Sequence, residues 1–370
     1  MKILILTNYA NGLWLFRKEL LLAFMEDGHD VYVSLPPDEN VDKLRSLQCR
    51  GRTVNIIETP FERRGNNPVK DFGLFMTYRK LLKSHRPDVV LTYTIKPNLY
   101  GGLACRLSRI PYLCNITGLG TAIENGGMLS RILLGFYKIS MKKARRVFFQ
   151  NTRNRDFMNS YGVAVRNSRL LPGSGVNLQE HPFSAYPSEE EGIVFLAVIR
   201  IMKDKGIEEY LETARRLKER SPNLHFWLVG EYEEETRDRY EPMICALEKQ
   251  GIIRYFGHID HVGEVMAKSH VIVHPSYHEG LSNVLLEAAA CGRPVLAGNI
   301  NGCIETFVEG ESGFSFEVKN TDALVEAVEK ILECSPQQRR AMGEAGRAWV
   351  EKQFDRNIVL QAYREELAEL

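Results

Sequence analysis

The stretch VIVHPSYHEGLSNVLLEAAA, residues 271–290, decides the fold. Val271-Ile272-Val273 is a short β-branched apolar run, the pattern of a buried strand. Pro275 and Gly280 cannot continue that strand, so His274–Gly280 reads as a loop. Ser282 stands as an N-cap, and Val284, Leu285 and Ala288 fall at helical spacing over Asn283–Ala290. Strand, loop and helix N-terminus together form an anion site. The first helical turn has unpaired N–H groups and carries the positive end of the macrodipole. The amides of Ser282, Asn283 and Val284 are therefore candidate phosphate donors. Glu279 precedes that turn and Glu287 follows it. Carboxylates repel phosphate, so these two suit hydroxyl groups; the alternative is a capped helix with surface glutamates.

Outward from this unit the same alternation repeats. Lys2–Leu6 predicts a strand, Asn8–Gly12 a turn, Leu13–Asp27 a helix closed by Gly28, and Val31–Leu35 the next strand. Further strands are predicted at Val89–Leu91, Tyr112–Asn115 and Val147–Gln150. His181–Gly192, HPFSAYPSEEEG, is rich in Pro, Ser and Glu and reads as a linker. Beyond it, strands restart at Ile193–Val198, Leu224–Val229, Ile253–Phe256 and Val295–Ala297. Parallel-type strands alternating with helices predict an α/β chain of two Rossmann-like, doubly wound domains, 1–182 and 193–353. The 370 residues suffice for both.

Composition excludes several function classes. Apolar content of 44% and charged content of 26% describe a globular protein. A net charge of +1 gives no global field for nucleic acid, so any basic patch is local. The seven cysteines are scattered without C-x-x-C spacing, which fits reduced thiols in a cytoplasmic protein. The first loop, TNYANGLW, lacks G-x-G-x-x-G and disfavours a simple NAD enzyme. His258, Asp260 and His261 match no common ligand spacing, His274 and His278 fail H-E-x-x-H, and Asp-x-Asp is absent, so no metal is expected. No run approaches the roughly 20 apolar residues of a membrane span. Ser130–Arg146 nevertheless reads as an amphipathic helix with a basic end, at Lys138, Lys142, Lys143, Arg145 and Arg146. A second patch lies at Arg63, Arg64 and Lys70. Both fit either a solvated face or an anionic membrane surface.

The pair Glu279 and Glu287, inside SYHEGLSNVLLEAAACGRPVLA, resembles the E-x7-E signature of retaining glycosyltransferases of family 4, which have the GT-B fold. Leu171–Asn177, LPGSGVN, is similar to that family's PGSGVD turn. The resemblance implies two domains facing a central cleft, with the C-terminal helix, 354–370, packing back on the first. It assigns Glu279 to the donor sugar and Glu287 to the ribose. Arg200 and Lys205 would hold the diphosphate, with Gly12 beside it. Gly230 stands where the family often has G-x-G, and Ile259 lies near the base. On the acceptor side the candidates are Lys96, just past a strand end, and Thr117, where many members carry His. Glu124 is the third. YTIKPNLYGG and NITGLGTAIENGG resemble the bacterial branch that builds capsule, O-antigen and N-glycan precursors on polyprenyl diphosphate. The expectation is retaining transfer of a hexose or N-acetylhexosamine from a UDP-sugar to a lipid-linked saccharide at the inner membrane face, with no cofactor. A UDP-sugar 2-epimerase of the same fold and a non-catalytic nucleotide-sugar binding subunit are the alternatives.

Overall fold

In the computed structural model, which describes residues 1–62, 65, 67–120, 123 and 126–370, short apolar strands assemble two parallel sheets. The chain divides into two units, Met1–Ser174 with Val359–Leu370, and Gly175–Ile358.

The strands of the first unit's parallel sheet are β1 (Lys2–Leu6), β2 (Asp30–Leu35), β3 (Asn55–Glu58), β4 (Val89–Tyr93), β5 (Tyr112–Ile116), β6 (Arg146–Phe149) and β7 (Ser168–Leu170). They lie in the order β3-β2-β1-β4-β5-β6-β7. Helices α1 (Ala10–Glu26), α2 (Val41–Arg45), α3 (Pro68–His85), α4 (Gly102–Ser108), α5 (Gly127–Met141) and α6 (Thr152–Ser160) connect them. Alternation along β1 explains the layering. Ile3 and Ile5 face a core with Leu20, Leu21 and Phe24 of α1, while Leu4 and Leu6 face Leu74 and Tyr78 of α3. Every residue of β4 and β5 is buried, as a parallel sheet covered on both faces requires. Gly28, at φ +84°, ends α1 in a Schellman turn, with its N–H bonded to Met25 and that of His29 to Phe24.

The second unit's strands are β8 (Ile193–Val198), β9 (Leu224–Val229), β10 (Ile253–Tyr255), β11 (Val271–His274), β12 (Val295–Gly298) and β13 (Gly313–Phe316), in the order β10-β9-β8-β11-β12-β13. Its helices are α7 (Ile207–Arg220), α8 (Arg237–Lys249), α9 (Val262–Lys268), α10 (Asn283–Ala290), α11 (Thr321–Glu333) and α12 (Pro336–Gln353); the last helix, α13 (Arg356–Ala368), follows. Small residues let α10 and α12 pack closely. A Cβ on Gly343 would lie 2.1 Å from the Gly292 carbonyl.

Several local expectations are corrected. His181–Gly192 is not a linker, because its carbonyls and acids are claimed by buried arginines of the second unit. Arg293, 0% exposed, donates to the carbonyls of Ser184 and Ala185, and Arg339 holds Glu189. The division falls at Ser174 and Gly175 instead of 182. Gly12 lies inside α1, not in a turn; a Cβ there would strike the Tyr9 ring at 2.4 Å. The predicted basic helix 130–146 stops at Met141. Arg146 begins β6 and pairs with Glu366 at 2.7 Å, so it is no part of a helical basic end. Arg145 likewise pairs with Glu369. The C-terminal helix starts at Arg356, and only Val359 onward groups with the first unit. There Tyr363 donates to or accepts from the Tyr93 hydroxyl at 2.9 Å and packs against Phe24 and Phe148. Arg63 and Arg64 lie outside the described residues.

Candidate functional site

The strand–loop–helix at 271–290 builds the charged centre of the second unit. All four residues of β11 are buried, which fixes where its carboxyl end points. Ser282 caps α10, its hydroxyl accepting from the Leu285 N–H at 3.4 Å. The Ser282 amide donates to the Gly302 carbonyl at 2.7 Å. That corrects the expectation of three anion-binding amides. Asn283 and Val284 remain, because they open the helix ahead of its first internal bond to Leu286.

Lys205 reaches this loop from the turn before α7. Its Nζ lies 2.6 Å from Glu279 Oε1 and 3.3 Å from Ser276 Oγ. Two contacts hold that turn in place. The Tyr277 N–H donates to the Asp204 carbonyl at 2.9 Å, and the Tyr277 hydroxyl donates to Glu209 of α7 at 2.5 Å. Gly206, at φ +71°, passes so close that a Cβ would lie 2.2 Å from the Pro275 carbonyl. Glu279 also meets His274, whose Nε2 is 3.0 Å from Oε1 and 3.1 Å from Ser282 Oγ. Burial alone would raise the Glu279 carboxyl, but His274 and Lys205 outweigh it and hold the group well below the ordinary carboxylate range.

Glu287 is the opposite case. Burial pushes its carboxyl up to about 7; Arg356 opposes the rise and Glu180 adds to it. The two acids of the E-x7-E pattern are therefore shifted in opposite directions.

The remaining predicted residues are distributed as follows. Arg200 follows β8 and pairs with Glu233, apart from the Lys205–Glu279 contact. Gly230, at φ +153°, follows β9, and a Cβ would lie 1.7 Å from the Ile199 carbonyl; its missing side chain serves the chain's own close approach. Ile259 is partly buried, packed beside the cluster of Leu196, Val229 and Leu285. In the first unit Lys96 is largely buried and pairs with Asp71 at 2.8 Å, so it is not an exposed loop lysine. Tyr100 donates to the same carboxylate at 2.9 Å. Thr117 directly follows β5 and is partly exposed. Gly12 lies under Tyr9, and Glu124 lies outside the described residues. Among the described residues no cluster of three or more His, Cys, Asp or Glu could hold a metal, and no helix is long and apolar enough to cross a membrane.

His274 and Tyr277 were missed from sequence. The signal for His274 was present: an imidazole ending a wholly apolar strand lies where open α/β sheets bind ligands.

The family described as glycosyl transferases group 1 matches residues 179–349, and that described as glycosyl transferase 4-like matches residues 2–151. The chain is 28% identical to the N,N'-diacetylbacillosaminyl-diphospho-undecaprenol alpha-1,3-N-acetylgalactosaminyltransferase of Campylobacter jejuni, over 98% of this chain and 97% of that protein. It is 24% identical to the UDP-Gal:alpha-D-GlcNAc-diphosphoundecaprenol alpha-1,3-galactosyltransferase of Escherichia coli, over 76% of each. Among solved structures, Anabaena HepE in complex with UDP and glucose superposes with a TM-score of 0.80 over the whole of both chains at 18% identity. WaaG, a glycosyltransferase of lipopolysaccharide biosynthesis, superposes with a TM-score of 0.72 over 98% of each at 19% identity.

Proposed function

The chain belongs to the group 1 glycosyltransferases of the GT-B fold, and from that premise we propose that it is a retaining enzyme for cell-surface glycan assembly. It moves a hexose or N-acetylhexosamine from a UDP-sugar to a saccharide carried on polyprenyl diphosphate. The observation that carries this reading is the convergence of Lys205, Glu279 and the N-terminus of α10 on one loop. Lys205 and the amides of Asn283 and Val284 take the leaving diphosphate, whose charge grows as the glycosidic bond breaks. Arg200 leaves Glu233 to join them. Glu279 orients the sugar hydroxyls and Glu287 accepts from the ribose.

The acceptor hydroxyl attacks C1 on the face that the diphosphate leaves. The new C1–O bond forms as the C1–O–phosphate bond breaks, and the hydroxyl proton passes to the departing phosphate oxygen. Side-chain cations and backbone amides supply the charge stabilisation, so the reaction needs no metal. Two relatives named for alpha-1,3 transfer onto undecaprenol-diphosphate saccharides support the acceptor class and, since UDP-hexoses are α-linked, retention. Contact with an anionic bilayer is supported by α5, which exposes Met128, Leu129, Ile132 and Ile139 beside Lys138.

The test is UDP release from a panel of UDP-sugars, with and without an undecaprenyl-diphosphate-linked saccharide, in EDTA. Release from one donor, stimulated by the acceptor, giving an α-linked product and lost in Glu279→Ala, is expected. A β-linked product overturns retention. Sugar isomerisation without UDP release points to the epimerase, and silence with every donor removes the transferase reading.

A further inference from the structure

We propose that His274 is a positioning residue for transfer, fixing the Glu279 carboxylate through its Nε2–H and tying it to the cap of α10. The inference rests on the reading of this loop as the donor site. His274 is 3% exposed and ends β11. Its Nε2 lies within hydrogen-bond reach of two oxygens, Glu279 Oε1 at 3.0 Å and Ser282 Oγ at 3.1 Å.

The tautomer follows from what those oxygens can do. A carboxylate only accepts, whereas the Ser282 hydroxyl can accept or donate, so the contact with Glu279 decides. Nε2 must therefore carry the proton. The other tautomer would set acceptor against acceptor at Glu279. It would also place an N–H on Nδ1, which is buried and lacks a hydrogen-bond partner among the described residues.

Lys205 and His274 hold the same oxygen, Oε1, which leaves Oε2 for a sugar hydroxyl. Their roles then separate when the donor binds. Lys205 turns part of its charge to the diphosphate, while the imidazole, locked in the strand, keeps the carboxylate aimed. Without His274, the Glu279 carboxylate would swing as the ammonium turns and lose its aim at the sugar. The charged groups around His274 are Glu279 on its own loop and Lys205 from the turn before α7. Glu305 accepts instead from the Gly302 N–H at 2.5 Å.

The test compares His274→Phe, which keeps a planar ring, with His274→Gln, whose amide N–H reaches where Nε2 stood. Phe should lower kcat on the order of 10- to 100-fold, the worth of a hydrogen bond to a charged group, while the Kd for UDP stays within about threefold. Gln should recover most of kcat. Wild-type kcat in the Phe variant, or a Gln variant no better than Phe, overturns the proposal. A second measurement needs neither a folded variant nor a donor: the ¹⁵N shifts of His274 in the wild-type protein. An Nε2–H tautomer is expected, and Nδ1–H overturns the proposal. Absence of UDP release from the wild type would instead strike the donor-site reading, and the tautomer would still be decided.

Discussion

Two loops follow parallel strands in corresponding places, one in each unit, and they are built in opposite ways. After β4 of the first unit the charged groups close on one another, while Thr94 Oγ1 is buried without a hydrogen-bond partner among the described residues. Lys96 pairs with Asp71, which Tyr100 also reaches. Asn98 accepts from Thr92 at 2.6 Å and donates to the Asn115 carbonyl at 2.8 Å. After β11 of the second unit Lys205 and Glu279 also pair, at 2.6 Å, but polar groups are left over around them. His274 Nδ1 is buried without a partner among the described residues, Glu287 is raised to about 7, and two amides open α10 toward no internal acceptor. Equivalent positions in a fold therefore do not carry equivalent chemistry. A loop that keeps ionisable groups and helix amides unspent beside its ion pair is ready to bind, and one that does not serves the stability of the chain.

The largest effect expected from breaking this contrast is on Lys205. Lys205→Ala should lower the rate of UDP release by about 10²–10³-fold, the usual cost of removing one group that stabilises a leaving charge. Single-turnover kinetics with saturating donor would read it. Next comes the closed loop. Asp71→Asn leaves the Lys96 ammonium buried without its counter-charge and should cost about 3 kcal/mol in urea unfolding, while the folded enzyme keeps its rate. A variant that lost rate and kept stability would reverse the assignment of the two loops.

Glu287→Gln sharpens the contrast through pH. The carboxyl sits at about 7 in the folded chain, against an ordinary value of 4.5. Between those values the folded state binds more protons than the unfolded state, so stability falls as pH rises through the window. Removing the charge should stabilise the protein by roughly 1–3 kcal/mol above pH 7 and have little effect below pH 4.5. Melting curves at pH 5 and pH 8 compare the two, alongside weaker UDP binding. The smallest effect is expected at the C-terminal helix, where Tyr363→Phe removes a buried hydroxyl bonded to Tyr93 and Asn115. About 1 kcal/mol of stability should be lost, with UDP binding unchanged.

What sequence could reveal follows the reach of each interaction. β11, α10 and its Ser282 cap were legible because strand pattern, Pro275 and capping act over a few residues. Gly28 was legible for the same reason. The meeting of Lys205 with Glu279 was legible because the family resemblance assigns both to one site. The misread features depend on partners far along the chain. HPFSAYPSEEEG has the composition of a linker, yet Arg293 and Arg339, over a hundred residues away, hold it. The Ser282 amide is taken by Gly302, and Lys96 is neutralised by Asp71, 25 residues earlier. Arg146 looked helical because the basic run hides the strand that begins there, and its partner Glu366 lies in the last helix.

The central claim is that the open loop of the second unit holds the donor diphosphate. Calorimetric titration of UDP tests it directly on three proteins: the wild type, Lys205→Ala, and Asp71→Asn/Lys96→Met, which removes both charges of the closed loop together. Binding should weaken at least about tenfold in Lys205→Ala and match the wild type in the double variant. Unchanged binding without Lys205, or binding lost with the closed pair, would contradict the account.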